Sequence, residues 1–182
     1  MRAPDEHESG GDSLSGIDSA EDSYAGKIVV LGIGNPYMRD DGIGIVVAQE
    51  LRKRGLGEDI VVYDSQTLEA SLIWQFREAD ALVILDALTS GAPPGTVSRF
   101  KISPRGAPIE GIPSLHELRL HDLVDLAGLD LISFPVVIVA VEPKDCSIGE
   151  GLTEEMRSAL PRVVDEVTRV LTEISATKTR SS

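Results

Sequence analysis

Residues 26 to 51 read GKIVVLGIGNPYMRDDGIGIVVAQEL, an apolar run that breaks into a glycine-rich turn and then resumes with helical spacing. Lys27 to Ile33 predicts a buried strand, its glycines a tight turn off that strand, and Asp41 to Arg54 a helix with Ile43, Val47 and Leu51 on one face. A dinucleotide-binding turn has this strand–glycine–helix order, with a third glycine where the helix meets the pyrophosphate. Here that position is Tyr37, after Asn35-Pro36, and the helix opens beside Asp40 and Asp41. The loop offers carboxylates where a nucleotide would bring phosphates.

The pattern that starts here continues along the chain. The spacing predicts strands over 59–63, 80–87, 96–102 and 134–143, and helices over 41–54, 68–77, 114–129 and 152–174. DALVILDA (80–87) is apolar enough to be buried on both faces of a sheet, whereas TVSRFKI (96–102) alternates like an edge strand. SLHEL opens the third helix with a Ser-x-x-Glu box, Ser114 and Glu117. Thr153 is placed to cap the last helix, and Pro161 to kink or break it. Alternating strands and helices predict an α/β fold, a three-layer sandwich in which a twisted, mostly parallel sheet carries helices on both faces. The fold is expected over 27–175 as one domain, with a flexible C-terminus at 176–182.

Composition limits the functions available. The chain has 182 residues, 42% hydrophobic and 26% charged, which suits one globular core. Its formal net charge is −13, from 17 Lys and Arg against 30 Asp and Glu. Residues 1–26 hold seven acids and one base, Arg2, and few large apolar groups, so a disordered acidic tail is expected there. An acidic body without a basic stripe excludes nucleic acid as the expected partner. No run approaches the roughly 20 apolar residues of a membrane span. The acidic N-terminal stretch lacks a signal-peptide apolar core, and a cytoplasmic location and a monomer are expected. One cysteine, Cys146, leaves neither an internal disulfide nor a Cys-rich zinc site.

In open α/β sheets, ligands bind outside the carboxyl ends of the strands, where the strand order switches. The polar residues expected there are Asp41, after the first strand; Asp86, straight after Leu82 to Leu85; and His116, in the first turn of a helix. Each also has a structural reading. An acid at a helix start complements the dipole by about 0.3–1 kcal/mol, Asp86 can cap a loop, and His116 can be a surface or capping residue. Against the loop reading of Asp86, a carboxylate ending an apolar strand is costly unless it is paired or metal-bound. His121 lies about 140° around the helix from His116, so the two do not share a ligand face. An imidazole and two carboxylates form a mixed nitrogen and oxygen set suited to nickel or zinc with positions left open. A thiol mechanism, with Cys146 as nucleophile and His116 as base, is the alternative. The PKDCSIGEG loop offers no helix N-terminus after the sulfur to favour thiolate, which argues for an unreactive cysteine.

With these residues in place, VLGIGNPYMRDDGIG resembles the N-terminal signature of the nickel–iron hydrogenase maturation proteases, with Asp40-Asp41-Gly42 at its acidic core. The resemblance continues through ILDAL around Asp86, SLHEL around His116 and VEP…GLT before the last helix, so it covers about residues 27–174. It implies an endopeptidase that removes the C-terminal extension of the hydrogenase large-subunit precursor after nickel insertion. It further implies that Asp41, Asp86 and His116 are the metal-contacting and catalytic residues, and that nickel arrives with the precursor. Relatives often carry glutamate where this chain has Asp41, and a glycine pair within the segment that here reads DSQT (64–67). The same three ligands would also serve a non-catalytic nickel-sensing chaperone for the large subunit.

Overall fold

The computed structural model describes residues 24–67, 75–102 and 134–181. Five strands form one sheet: β1 (Ile28–Ile33), β2 (Ile60–Ser65), β3 (Ala81–Ala87), β4 (Val97–Ile102) and β5 (Val136–Val141). Their spatial order is β2-β1-β3-β5-β4. All neighbours pair in parallel except β4, which runs antiparallel to β5 at the sheet's edge. The mostly parallel α/β sheet expected from the sequence is therefore present. Every residue of β1 and β5 is buried, as is β3 up to Leu85. Continuous apolar runs of this kind belong to strands covered on both faces.

Alternate residues divide the core into two layers. Ile28, Val30, Val83 and Val139 face one side with α1 (Ile43–Arg54) and α2 (Glu154–Ser181), through Val47, Leu51, Met156, Val163 and Val167 among others. Val29, Leu31, Ile84 and Ile138 face the other, against Phe76, Ala79, Phe100 and Phe134. Of the helices expected at 68–77 and 114–129, residues 68–74 and all of the second lie outside the described residues, and with them Ser114 and Glu117.

Several element ends differ from expectation. The helix foreseen from Asp41 is preceded by a single 3-10 turn, Arg39–Gly42, and α1 proper starts at Ile43. β2 extends to Ser65. Tyr24, grouped by composition with the acidic tail, is packed: its ring meets Tyr63 and Phe76 edge-on, and its hydroxyl lies 2.9 Å from that of Tyr63. Pro161 does not break α2, because Val163, Val164, Val167 and Val170 beyond it are all buried against the core. Tertiary packing of that face outweighs the lost backbone bond. The residues expected to form a flexible C-terminus continue the helix to Ser181, and Lys178 pairs with Asp80 at 2.7 Å.

The fold places a site through its strand order. From β1 the chain passes through α1 to β2 on one side, and later returns to β3 on the other. The connections leaving the carboxyl ends of β1 and β3 thus diverge, and a crevice opens between them. The start of α1 sinks into this crevice. A Cβ at Gly44 would overlap the carbonyl oxygens of both Ile33 and Leu85, and one at Gly32 would overlap the carbonyl of Gly44. Close approach of helix to sheet is what these glycines provide, rather than room for a phosphate.

Candidate functional site

The loop after β1 closes on itself through short hydrogen bonds. The Asn35 carbonyl accepts the Met38 N–H at 3.0 Å, and the Met38 carbonyl accepts the Asp41 N–H at 3.0 Å. The Asn35 side chain accepts the Tyr37 N–H at 3.0 Å, an Asx turn. Asp41 answers from the far end of the loop: its Oδ2 takes the Asn35 N–H at 2.8 Å. Gly34 has no room for a side chain, since a Cβ would overlap the Asp41 carbonyl oxygen. Asp41 is half-buried, on a 3-10 turn that packs against β3.

Asp86 stands one residue beyond Leu85, which pairs in register with Gly32 of β1. It is half-buried, and its Oδ1 accepts the N–H of its neighbour Ala87 at 2.8 Å. Asp41 and Asp86 therefore both belong to the carboxyl-end rim, one on each flank of the crevice between β1 and β3. His116 falls in 103–133, outside the described residues. Among the described residues no group of three or more His, Cys, Asp and Glu is placed to hold a metal ion. A three-ligand set needs the imidazole of that segment, and two carboxylates with such a nitrogen donor have the chemistry a borderline divalent cation accepts.

Sequence reasoning gave no role to the other aspartate of the pair. Asp40 is fully buried, and its carboxylate accepts four hydrogen bonds. Thr153 N–H reaches Oδ1 at 2.7 Å; the Thr153 hydroxyl, Lys144 N–H and Asp145 N–H reach Oδ2 at 2.9, 3.0 and 3.1 Å. Thr153 in turn caps α2, accepting the Met156 N–H at 3.4 Å. A second set of backbone bonds joins the same two loops. Arg39 N–H donates to the Gly149 carbonyl and Gly149 N–H to the Tyr37 carbonyl, both at 2.9 Å, and Asp40 N–H donates to the Asp145 carbonyl at 3.1 Å. Arg39 holds a left-handed backbone, φ +45°, which costs about 1–2 kcal/mol in a residue with a Cβ. Its guanidinium lies 3.3 Å from Asp145. The Asp145 carboxyl is held below its ordinary range, first by the hydrogen bonds of Ser147 and then by the charges of Arg39 and Lys144.

Two further carboxylates at this end of the sheet are engaged. Asp64 of β2 is paired with Arg52 of α1. Glu142, directly after β5, is buried and accepts Ser90 N–H and Oγ–H at 2.8 and 2.7 Å and Gly91 N–H at 3.0 Å. Cys146 is half-buried on the loop that Asp40 anchors.

The β1–β3 crevice of this α/β sheet is bordered by carboxylates on a glycine-packed loop, where a nucleotide-binding sheet carries a glycine-rich phosphate cradle. The chain belongs to the hydrogenase maturation protease family, whose profile matches residues 45–170. It is a hydrolase, an endopeptidase of hydrogenase maturation. The hydrogenase expression/formation protein HupD of Bradyrhizobium diazoefficiens is 29% identical over 166 residues, covering 88% of this chain and 85% of that protein. The hydrogenase 2 maturation protease of Escherichia coli is 29% identical over 152 residues, covering 81% of this chain and 92% of that one. Among solved structures, the hydrogenase maturating endopeptidase HybD from E. coli superposes with a TM-score of 0.66 at 25% identity, over 81% of this chain and 93% of that chain. The HycI protease of Thermococcus kodakarensis, at 21% identity and a TM-score of 0.61, shares the fold. No helix among the described residues is long and apolar enough to cross a membrane.

Proposed function

We propose that this endopeptidase removes the C-terminal extension of a nickel–iron hydrogenase large-subunit precursor once nickel has been inserted. Nickel is carried by the precursor, as part of the substrate, and is contacted by Asp41, Asp86 and His116. The observation that supports this reading is the placement of Asp41 and Asp86 on opposite flanks of the β1–β3 crevice. Both carboxylates are only half-buried there, and the loop that carries Asp41 is fixed by its own hydrogen bonds. A precursor lacking nickel would present these carboxylates with nothing that recognises them. In cleavage, water adds across one peptide bond: its oxygen goes to the acyl carbon and a proton to the departing amine. The protein acts in the cytoplasm as a monomer.

The test is incubation of the enzyme with nickel-loaded and nickel-free precursor, reading product mass. Shortening of the loaded form only is the expected result. Binding without shortening would return the protein to the role of a nickel-sensing chaperone, and shortening of both forms would remove nickel from the recognition step. Cys146→Ala is expected to retain cleavage. Complete loss in a folded variant would revive the thiol mechanism.

A further inference from the structure

Tyr37 and Ile148 are the large apolar side chains that stand out into solvent among the described residues, 61% and 88% exposed. They come from different loops, after β1 and after β5, yet these loops are joined next to both residues. Gly149, which follows Ile148, donates its N–H to the Tyr37 carbonyl at 2.9 Å, and Met38 forms a parallel bridge with Gly149. The buried Asp40 carboxylate anchors both loops from below. The two apolar groups therefore project from a rigid ledge, so a partner seated on it would meet little loop-ordering cost. That ledge is continuous with the site, since Tyr37 and Asp41 share one closed loop.

The charges beside it point to the partner's chemistry. Arg39 and Lys144 are occupied by Asp145 and Glu155, while Glu150 and Glu154 remain as exposed acids. A surface with two apolar anchors and an acidic surplus fits apolar side chains flanked by lysine or arginine. We propose that Tyr37 and Ile148 form the docking ledge for the body of the precursor, holding its apolar, base-flanked patch while the scissile tail enters the crevice. This rests on the precursor being the substrate, as proposed above.

Binding and cleavage of nickel-loaded precursor are measured separately, for the wild type and for Tyr37→Ser/Ile148→Ser, with the melting temperature of each recorded. The expected result is a wild-type-like melting temperature, affinity weakened by about tenfold or more, and turnover recovered at saturating precursor. Glu150→Lys is expected to slow association at low salt and to matter less at high salt. Equal affinity in wild type and double variant overturns the ledge, as does a wild type that does not bind precursor. A wild-type dimer that the double variant loses assigns the ledge to a second copy of the chain and also overturns it. If the precursor binds through the ledge but is not shortened, the ledge stands and the peptidase reading of the site fails.

Discussion

The Asp40 carboxylate and Thr153, 113 residues apart in sequence, are joined twice: Thr153 N–H to Oδ1 at 2.7 Å and Thr153 Oγ–H to Oδ2 at 2.9 Å. With Lys144 and Asp145 N–H added, a fully buried charge meets only donors, at the start of α2 where the helix dipole also favours an anion. Asp40→Asn puts an amide NH2 where N–H groups already point. The expected cost is about 3 kcal/mol in denaturant unfolding, because donors are left buried without an acceptor. Cleavage should fall with it even far below the melting temperature, since the Asp41 loop loses its anchor. A variant of unchanged stability would show that the Asp40 contacts are dispensable.

Gly44 offers a test with an unusual sign. In an ordinary helix, replacing glycine by alanine stabilises by up to about 1 kcal/mol. Here a Cβ would overlap the Ile33 and Leu85 carbonyl oxygens, which belong to adjacent strands and have little freedom to move. Gly44→Ala is expected to destabilise by about 3 kcal/mol as the start of α1 is pushed off the crevice. Chemical unfolding reads it directly, and a stabilised Gly44→Ala would refute the close packing described for this helix.

Glu142 links stability to pH. Burial raises its carboxyl, but the Ser90 hydroxyl and the N–H groups of Ser90, Gly91 and Ala92 together prevail and hold it below its ordinary 4.5. A depressed folded-state value contributes stability that is present above 4.5 and is lost as pH falls through the lower folded value. Glu142→Gln should therefore be less stable than wild type by about 2 kcal/mol at neutral pH. The gap should narrow in unfolding measurements taken below pH 4.5. A gap that is constant down to strong acid would show that packing, not charge, is what the variant loses.

The sheet was legible because its signal is local. Ile28 to Leu31, Leu82 to Leu85 and Val136 to Val141 are unbroken apolar runs, and burial on both faces requires just that. Asp86 was legible for the same reason, as a charge at the end of such a run. The role of Asp40 was not. In Asp40-Asp41 nothing local tells which side chain turns inward, and the answer lies with Lys144, Asp145 and Thr153, more than a hundred residues away. The start of α1 was misread by two residues, because a 3-10 turn fits an acid-rich helix N-terminus equally well in sequence. Pro161 was read from its local effect, whereas the buried valines beyond it decide the outcome.

The last prediction separates residues that serve a ligand from residues that serve the fold. Asp40 is buried with four donors, whereas Asp41 and Asp86 are half-buried at the rim, where Asp41 accepts the Asn35 N–H and Asp86 the Ala87 N–H. An asparagine keeps a carbonyl oxygen for that bond but lacks the charge a cation requires. Asp86→Asn and Asp41→Asn should then unfold within about 0.5 kcal/mol of wild type, or slightly later if the two carboxylates repel each other in the free enzyme. Cleavage of nickel-loaded precursor should fall by about 100-fold or more, because each substitution removes one of three ligands. His116→Ala is expected to behave likewise in activity. The measurement is paired, melting temperature and processing rate on each variant, with nickel titration calorimetry on the precursor complex as a readout independent of turnover. Activity that falls only in step with stability would make Asp41 and Asp86 structural residues like Asp40, and the metal-contacting assignment would be withdrawn.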